Sequence, residues 1–264
     1  MFRRDSHPRV FGTELHLVPH IGIAKIDAMA TALEDVDRAL DDKGFFNIQD
    51  AAMGGRMLAI ESQQSFLSEL QLTGDTVSRI ESVIRNSFHR YGGCTLGHAM
   101  IHGSSPDHII CFRKDRDRRS ILVLVWPPGS QAKFWVGSHK LDLPVKRGPE
   151  YHLHFSREHL ENAACVEEQI FFPNGGLTVL DARLGHEKYT GDPFTLEFAT
   201  NDVVAEWTPM YFPKMQDLEG KIAEMQNESR NKDTRISFNY CLVSIEDFKE
   251  MRTRVKPIVD KARP

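Results

Sequence analysis

The sequence predicts an α+β fold in which a helical first part buttresses an antiparallel double sheet of the jelly-roll kind. Three observations predict it. Apolar residues recur at helical spacing through the first third of the chain. From His108 onward the pattern changes to short runs rich in Val, Ile, Phe and Trp. Gly, Pro, Asn and Asp clusters punctuate those runs. Helices followed by many short strands argue for an α+β layer architecture. A jelly roll pairs such strands without open edges and leaves a mouth suited to a small ligand.

The elements follow in order. Residues 1–25 read as an amino-terminal arm, and 26–93 as a helical buttress. Within it, Ile26, Met29, Ala30, Leu33, Val36, Ala39 and Leu40 form one helical stripe, with Asp27 as N-cap and Gly44 as stop. Phe45, Phe46 and Ile48 read as a short buried strand, and further helices are predicted near Met57–Leu70 and Thr76–Tyr91. Residues 94–242 read as the jelly-roll core. Its strands are predicted at His108–Phe112, Ser120–Trp126, Lys133–Val136, Gln169–Phe172, Leu177–Asp181, Phe194–Thr200, Val203–Trp207 and Ile236–Leu242. A polar helical insertion spans 214–232, and residues 243–264 read as a carboxy-terminal helix bent at Pro257. The whole reads as a single domain.

Composition excludes several function classes. A chain of 264 residues with formal charge −4 has no general pull toward nucleic acid. Hydrophobic residues at 41% and charged residues at 27% are those of an ordinary globular chain, not a disordered one. Four Cys are too sparse for a disulfide scaffold and include no C-x-x-C pair. No apolar run reaches membrane-span or signal-peptide length, so the expectation is a soluble, cytoplasmic protein in a reducing environment. No G-x-S-x-G elbow, phosphate loop or dinucleotide fingerprint occurs.

Three segments carry a resemblance. Phe134–Lys140 contains Gly137-Ser138-His139-Lys140, and Gly175–His186 reads as a strand that leads to a His. Asp42–Ile48 reads as a helix-to-strand entry ahead of both. In order and spacing this set resembles the phytanoyl-CoA dioxygenase-like proteins over about residues 26–200. The resemblance implies a double-stranded β-helix, cupin-like, whose usual members bind Fe(II) and 2-oxoglutarate. It also implies a His-x-Asp or His-x-Glu pair ahead of Gly-Ser-His-Lys, with His186 as the distal ligand. Such a pair works because alternate residues of a strand point the same way, and two His with one carboxylate leave metal positions open.

The sequence departs from that pattern twice. His98, His102 and His108 are not followed two residues later by a carboxylate. His159-Leu160-Glu161 matches but lies out of order, in a polar helical stretch. The family's basic anchor for 2-oxoglutarate, about ten residues after the distal His, is also missing: Glu187–Phe198 contains no Arg. Arg235-Ile236-Ser237 imitates an Arg-x-Ser anchor but reads as a strand-entry Arg. His152-Leu153-His154 could bind a metal but lacks a third placed ligand.

The expectation is therefore a retained shape with altered chemistry. No cofactor and no metal are expected, and a small, largely apolar metabolite is the substrate. Its cyclisation, isomerisation or cycloaddition would occur in a natural-product pathway. His186 is the candidate acid or donor, since an ordinary imidazole titrates near neutrality. Arg113, Lys188 and Tyr189 are candidates to polarise a carbonyl. Phe112, Trp126, Trp135 and His98 are candidate substrate-binding residues. Two other readings stay open. One is an Fe(II)/2-oxoglutarate oxygenase with atypical ligands from His98, Asp107 or His108 together with His186. The other is a non-enzymatic small-molecule binder. The carboxy-terminal helices could pack on the parent domain or on a second copy, giving a homodimer.

Overall fold

The structure is a computed structural model, and it describes residues 33–63, 75–101, 108–148, 152–230 and 235–251. The arm at 1–25, the predicted N-cap Asp27, His102, Asp107 and the bend at Pro257 lie outside the described residues.

Helix α1, Leu33–Asp42, ends where Lys43 and Gly44 both donate their N–H to the Ala39 carbonyl. Gly44 sits at φ +88, the left-handed conformation of a helix stop, as the sequence predicts. A Cβ there would stand 2.6 Å from His139 Nδ1 and 2.7 Å from Leu184, so this glycine also lets two later segments close in. Strand β1, Phe45–Gln49, follows at once. Helix α2, Ala51–Gln63, starts earlier than predicted because Asp50 caps it: its Oδ1 accepts from Ala52 N at 2.9 Å and Met53 N at 3.1 Å. Helix α3, Asp75–Phe88, completes the helical part and runs into a 3-10 turn at His89–Tyr91.

The remaining elements are β2 Gly93–Ile101, β3 Ile109–Cys111, β4 Ser120–Trp126, β5 Ser130–Val136, β6 Val145–Arg147, β7 Leu153–Phe155, α4 Arg157–Asn162, β8 Val166–Phe172, β9 Gly176–Asp181, β10 His186–Thr190, β11 Phe194–Ala199, α5 Asn201–Val204, β12 Met210–Pro213, α6 Gln216–Arg230, β13 Arg235–Phe238 and β14 Tyr240–Val243. A last helix, α7, covers 245–251. Strands β1-β9-β4-β11-β2-β13 form one sheet and β6-β7-β3-β10-β5-β8 a second, with a small β12-β14 pair beside them.

Three apolar layers hold these sheets. Val36, Leu40, Met57, Phe88, Ile121, Val123, Val179, Leu196 and Phe198 pack the first sheet against the helices. Phe45, Leu122, Leu124, Trp126, Phe134, Phe172 and Leu180 pack the two sheets face to face. Trp135, Cys111, Phe155 and Leu160 of α4 cover the outer face of the second sheet. Strand β4 is covered on both sides and all seven of its residues are buried, which is why it reads as an unbroken apolar run. Each such side chain contributes roughly 1.5–3 kcal/mol by leaving water.

Two predicted elements need correction, and two strands are missing from the sequence reading. Residues 203–207 are not a strand: α5 and a turn occupy 201–207, with Val203 and Val204 both donating to the Thr200 carbonyl. The run Ile236–Leu242 is broken at Asn239 into β13, parallel to β2, and β14, parallel to β12. Strands β2 and β10 did not stand out because Gly, Thr, His, Glu and Lys interrupt their apolar pattern. Among the described residues no helix is long and apolar enough to cross a membrane.

Candidate functional site

The site is built from the segment that enters β10. Asp181 takes the Arg183 guanidinium at 2.9 and 2.6 Å, and its carbonyl accepts from Leu184 N. Ser138 Oγ accepts the Gly185 N–H at 2.9 Å, and the Gly185 carbonyl accepts from Trp135 N at 2.8 Å. The Gly-Ser-His-Lys segment is thus the clamp that fixes the residue before His186. His186 then opens β10, opposite Phe134 of β5 and Ile110 of β3.

His186 is completely buried. Its Nδ1 lies 3.2 Å from the Leu184 carbonyl, which can only accept, so Nδ1 carries the proton. Nε2 is left with a lone pair and no partner among the described residues. Burial first, and the Lys188 charge second, push the imidazole down to about 3. The expectation of an acid titrating near neutrality is therefore corrected: this side chain is a neutral hydrogen-bond acceptor at every physiological pH.

Alternation along β10 places Lys188, 2% exposed, on the same inner face. The Phe112 ring lies 6.0 Å from His186 and nearly parallel, and Phe134 lies at 6.4 Å. His152 packs on Phe112 at 4.7 Å, and burial with the Lys188 charge pushes it down to about 4. Thr195 of β11 is buried, and its Oγ1 has no partner among the described residues. Lys188, the His186 lone pair and two aromatic rings thus lie together on the buried inner face of the second sheet.

A second cluster stands at the rim. Glu197 of β11, 5% exposed, accepts from Arg113 Nε at 3.2 Å and meets His98 Nδ1 at 3.3 Å. Trp207 stacks on His98 at 4.7 Å and lies 4.1 Å from the Arg113 guanidinium carbon. Arg113 therefore folds inward, while Lys114 turns out to Asp142.

The structure separates the other expected residues from this site. Tyr189 and Trp135 point to the outer face of the second sheet: Tyr189 is exposed beside Lys133, and Trp135 donates to Glu187. Both are one residue out of step with the inner face, so their assignments to carbonyl polarisation and to the substrate wall are corrected. Trp126 is buried between the sheets, stacked on Phe172 and bonded to Thr178. Four residues of β5 separate the pairing partners of Phe172 and His186, about 13 Å at strand rise, so Trp126 is core at the far end. His159 and Glu161 lie on α4, and Arg235 is exposed at the start of β13. His154 packs on His108 at 5.1 Å. Glu197, Trp207, Thr195 and Ser138 escaped the sequence reading as site residues. An isolated Glu in an apolar strand, FTLEFA, was the one local signal.

No family model and no curated protein matches the chain. Solved structures do. One is the epimerase SnoN in complex with Fe3+, alpha ketoglutarate and nogalamycin RO, at TM-score 0.43 and 14% identity, covering 64% of this chain and 84% of that one. Another is HygX from Streptomyces hygroscopicus with iron bound, at TM-score 0.42 and 14% identity, covering 70% and 93%. HygX with nickel, 2-oxoglutarate and hygromycin B gives TM-score 0.39 at 14% identity, covering 70% and 92%. These are of the same kind as the resemblance read from the sequence.

The expectation of a chain without cofactors meets a correction here: the first of those structures holds Fe3+ with alpha ketoglutarate, the second iron, and the third nickel with 2-oxoglutarate. The residues present can be tested against both groups. Among the described residues, no three His, Cys, Asp or Glu come together to hold a metal. An aromatic ring, not a ligand, faces His186, and a lysine stands beside it. Eleven residues after His186 the strand carries Glu197, a carboxylate, where an anion anchor would be basic. The described residues supply no metal site and carry an acidic residue at the position the resemblance gives to the 2-oxoglutarate anchor, and no step below passes through either group.

Proposed function

We propose that this chain is an enzyme of natural-product metabolism. It transforms a small molecule held between two sheets that wind as a double-stranded β-helix. From β2 to β5 successive strands alternate between the sheets, and from β8 to β11 they do so again, which supports that winding. The reaction class is isomerisation or cyclisation by proton transfer, or cycloaddition of a bound polyene.

One observation carries this reading: His186 Nε2, a fixed lone pair, is buried without a partner among the described residues, on the strand face that also carries Lys188. An unpaired buried acceptor costs roughly 1–3 kcal/mol, a cost that suits a group meant to meet a ligand. Nε2 accepts a hydrogen bond from a hydroxyl of the substrate. Lys188 stabilises negative charge on a carbonyl oxygen, where low dielectric strengthens the attraction. Phe112 and Phe134 exclude water and hold an apolar body in the reactive pose.

The test is product mass. Purified protein is incubated with fractionated metabolite extracts, with and without added ferrous ion and 2-oxoglutarate. The expected result is one metabolite replaced by another of identical mass, or by the adduct of two metabolites, lost in His186→Leu. A product heavier by oxygen or lighter by two hydrogens, formed only with both additions, overturns it in favour of oxygenation. Retention of a metabolite without conversion overturns it in favour of a binding protein.

A further inference from the structure

We infer that Arg113 is the anchor for a carboxylate of the small molecule, gripping it at the rim while the reacting part faces His186. This rests on the proposed function and names the substrate class: an apolar body bearing an acid group.

The argument starts at Gly97. The register of β2 against β11 slips at Glu197–Phe198, so Gly97 is an extra residue in β2. A Cβ at Gly97 would lie 2.2 Å from the Trp207 ring, so this bulge needs glycine in order to seat that ring. Trp207 in turn supports the Arg113 guanidinium at 4.1 Å. Glu197 takes Nε alone, at 3.2 Å. The fork of Arg113 is thereby oriented from below by a ring and from one side by a buried carboxylate. Its Nη1 and Nη2 have no partner among the described residues, and the side chain is 27% exposed. A guanidinium held at Nε presents those two nitrogens as a planar pair, the geometry that receives a carboxylate. Three segments of the chain converge to hold one cation whose working end is open. Glu197, its carboxylate partner, pairs with Leu122 of the layer between the sheets, and Phe112, the residue before Arg113, lies against His186, so the anchor stands toward the interior that His186 faces.

Binding to the full chain, measured by calorimetry, tests this with phenylpyruvate, 2-oxoglutarate and the neutral phenylacetamide. At least one of the two acids is expected to bind tenfold or more tightly than the amide. Arg113→Met is expected to remove that advantage and Arg113→Lys to restore part of it. The double variant Arg113→Met/Glu197→Gln guards against an unpaired Glu197 unfolding the rim, and it should lose the advantage as well. No preference for acids in the wild type overturns the inference, as does a preference that survives in both Met variants. The underlying reading fails separately: it falls if His186→Leu leaves the affinity for all three probes unchanged, whatever Arg113 does.

Discussion

Two neighbours on one strand, His186 and Glu187, are both fully buried and do opposite things. Glu187 faces outward, where Trp135 Nε1 donates to its Oε1 at 3.1 Å and Arg157 at 2.8 Å. Arg157 also lies over the Trp135 ring at 5.0 Å, and Glu167 binds both Arg157 and Lys133. That network is a charged buttress in which Glu187 Oε1 takes both donors, while its Oε2, like His186 Nε2, has no hydrogen-bond partner among the described residues. His186 faces inward, and the structure holds it with a single backbone bond while leaving its other nitrogen bare. Burial with an unpartnered atom is common to both, so what separates them is the face each takes: Glu187 lies within a charged network, His186 against two aromatic rings.

Breaking the comparison from each side gives the largest expected effects. Glu187→Ala strands the Trp135 N–H and removes one of the two carboxylates that hold Arg157, so urea unfolding should show a loss of about 2–4 kcal/mol. His186→Leu removes a desolvated lone pair at the cost of one backbone bond. Its stability should change by no more than about 1 kcal/mol, while conversion of any substrate falls at least about a hundredfold. A His186→Leu protein that converts substrate normally would erase the distinction between the two neighbours.

The next effect is in pH. The folded state holds His186 near 3 and His152 near 4, while an unfolded imidazole titrates near 6.5. Between those values the unfolded chain binds more protons, so stability is full above about pH 6.5 and falls as pH drops toward 4. Each histidine contributes a slope of up to about 1.4 kcal/mol per pH unit. Unfolding curves from pH 8 to 4.5 should show this, and His152→Gln should flatten part of it. A wild-type slope unaltered in that variant would assign the loss to other groups.

The smallest effect concerns the clamp. Ser138→Ala removes the acceptor for Gly185 N–H and should cost about 1–2 kcal/mol. Its effect on turnover should exceed its effect on stability, because it releases the residue next to His186. Equal small losses in both would make Ser138 a purely structural residue.

Much of this was legible in the sequence where burial and letter agree. Strand β4 was read to its exact ends because both its faces are covered by apolar residues. His186 was found through the resemblance of its flanking segments, and Gly44 through its role as a helix stop. The errors lie where the chain buries polar letters. Strand β10 reads HEKYT, a surface pattern, yet its first three residues are buried. Placing Tyr189 and Trp135 beside His186 required knowing which face each residue takes, and one step in a strand reverses it. The rim cluster was beyond reach: Gly97, Arg113, Glu197 and Trp207 come from four separate segments, and only the fold brings them together.

The most direct measurement of the central claim is the nitrogen-15 spectrum of the imidazole of His186, assigned by comparison with His186→Leu. The account predicts a proton on Nδ1 and a bare Nε2 from pH 8 down to about 4.5, with no titration near 6.5. A proton on Nε2 in the free protein, or uptake of a second proton near neutrality, would contradict it.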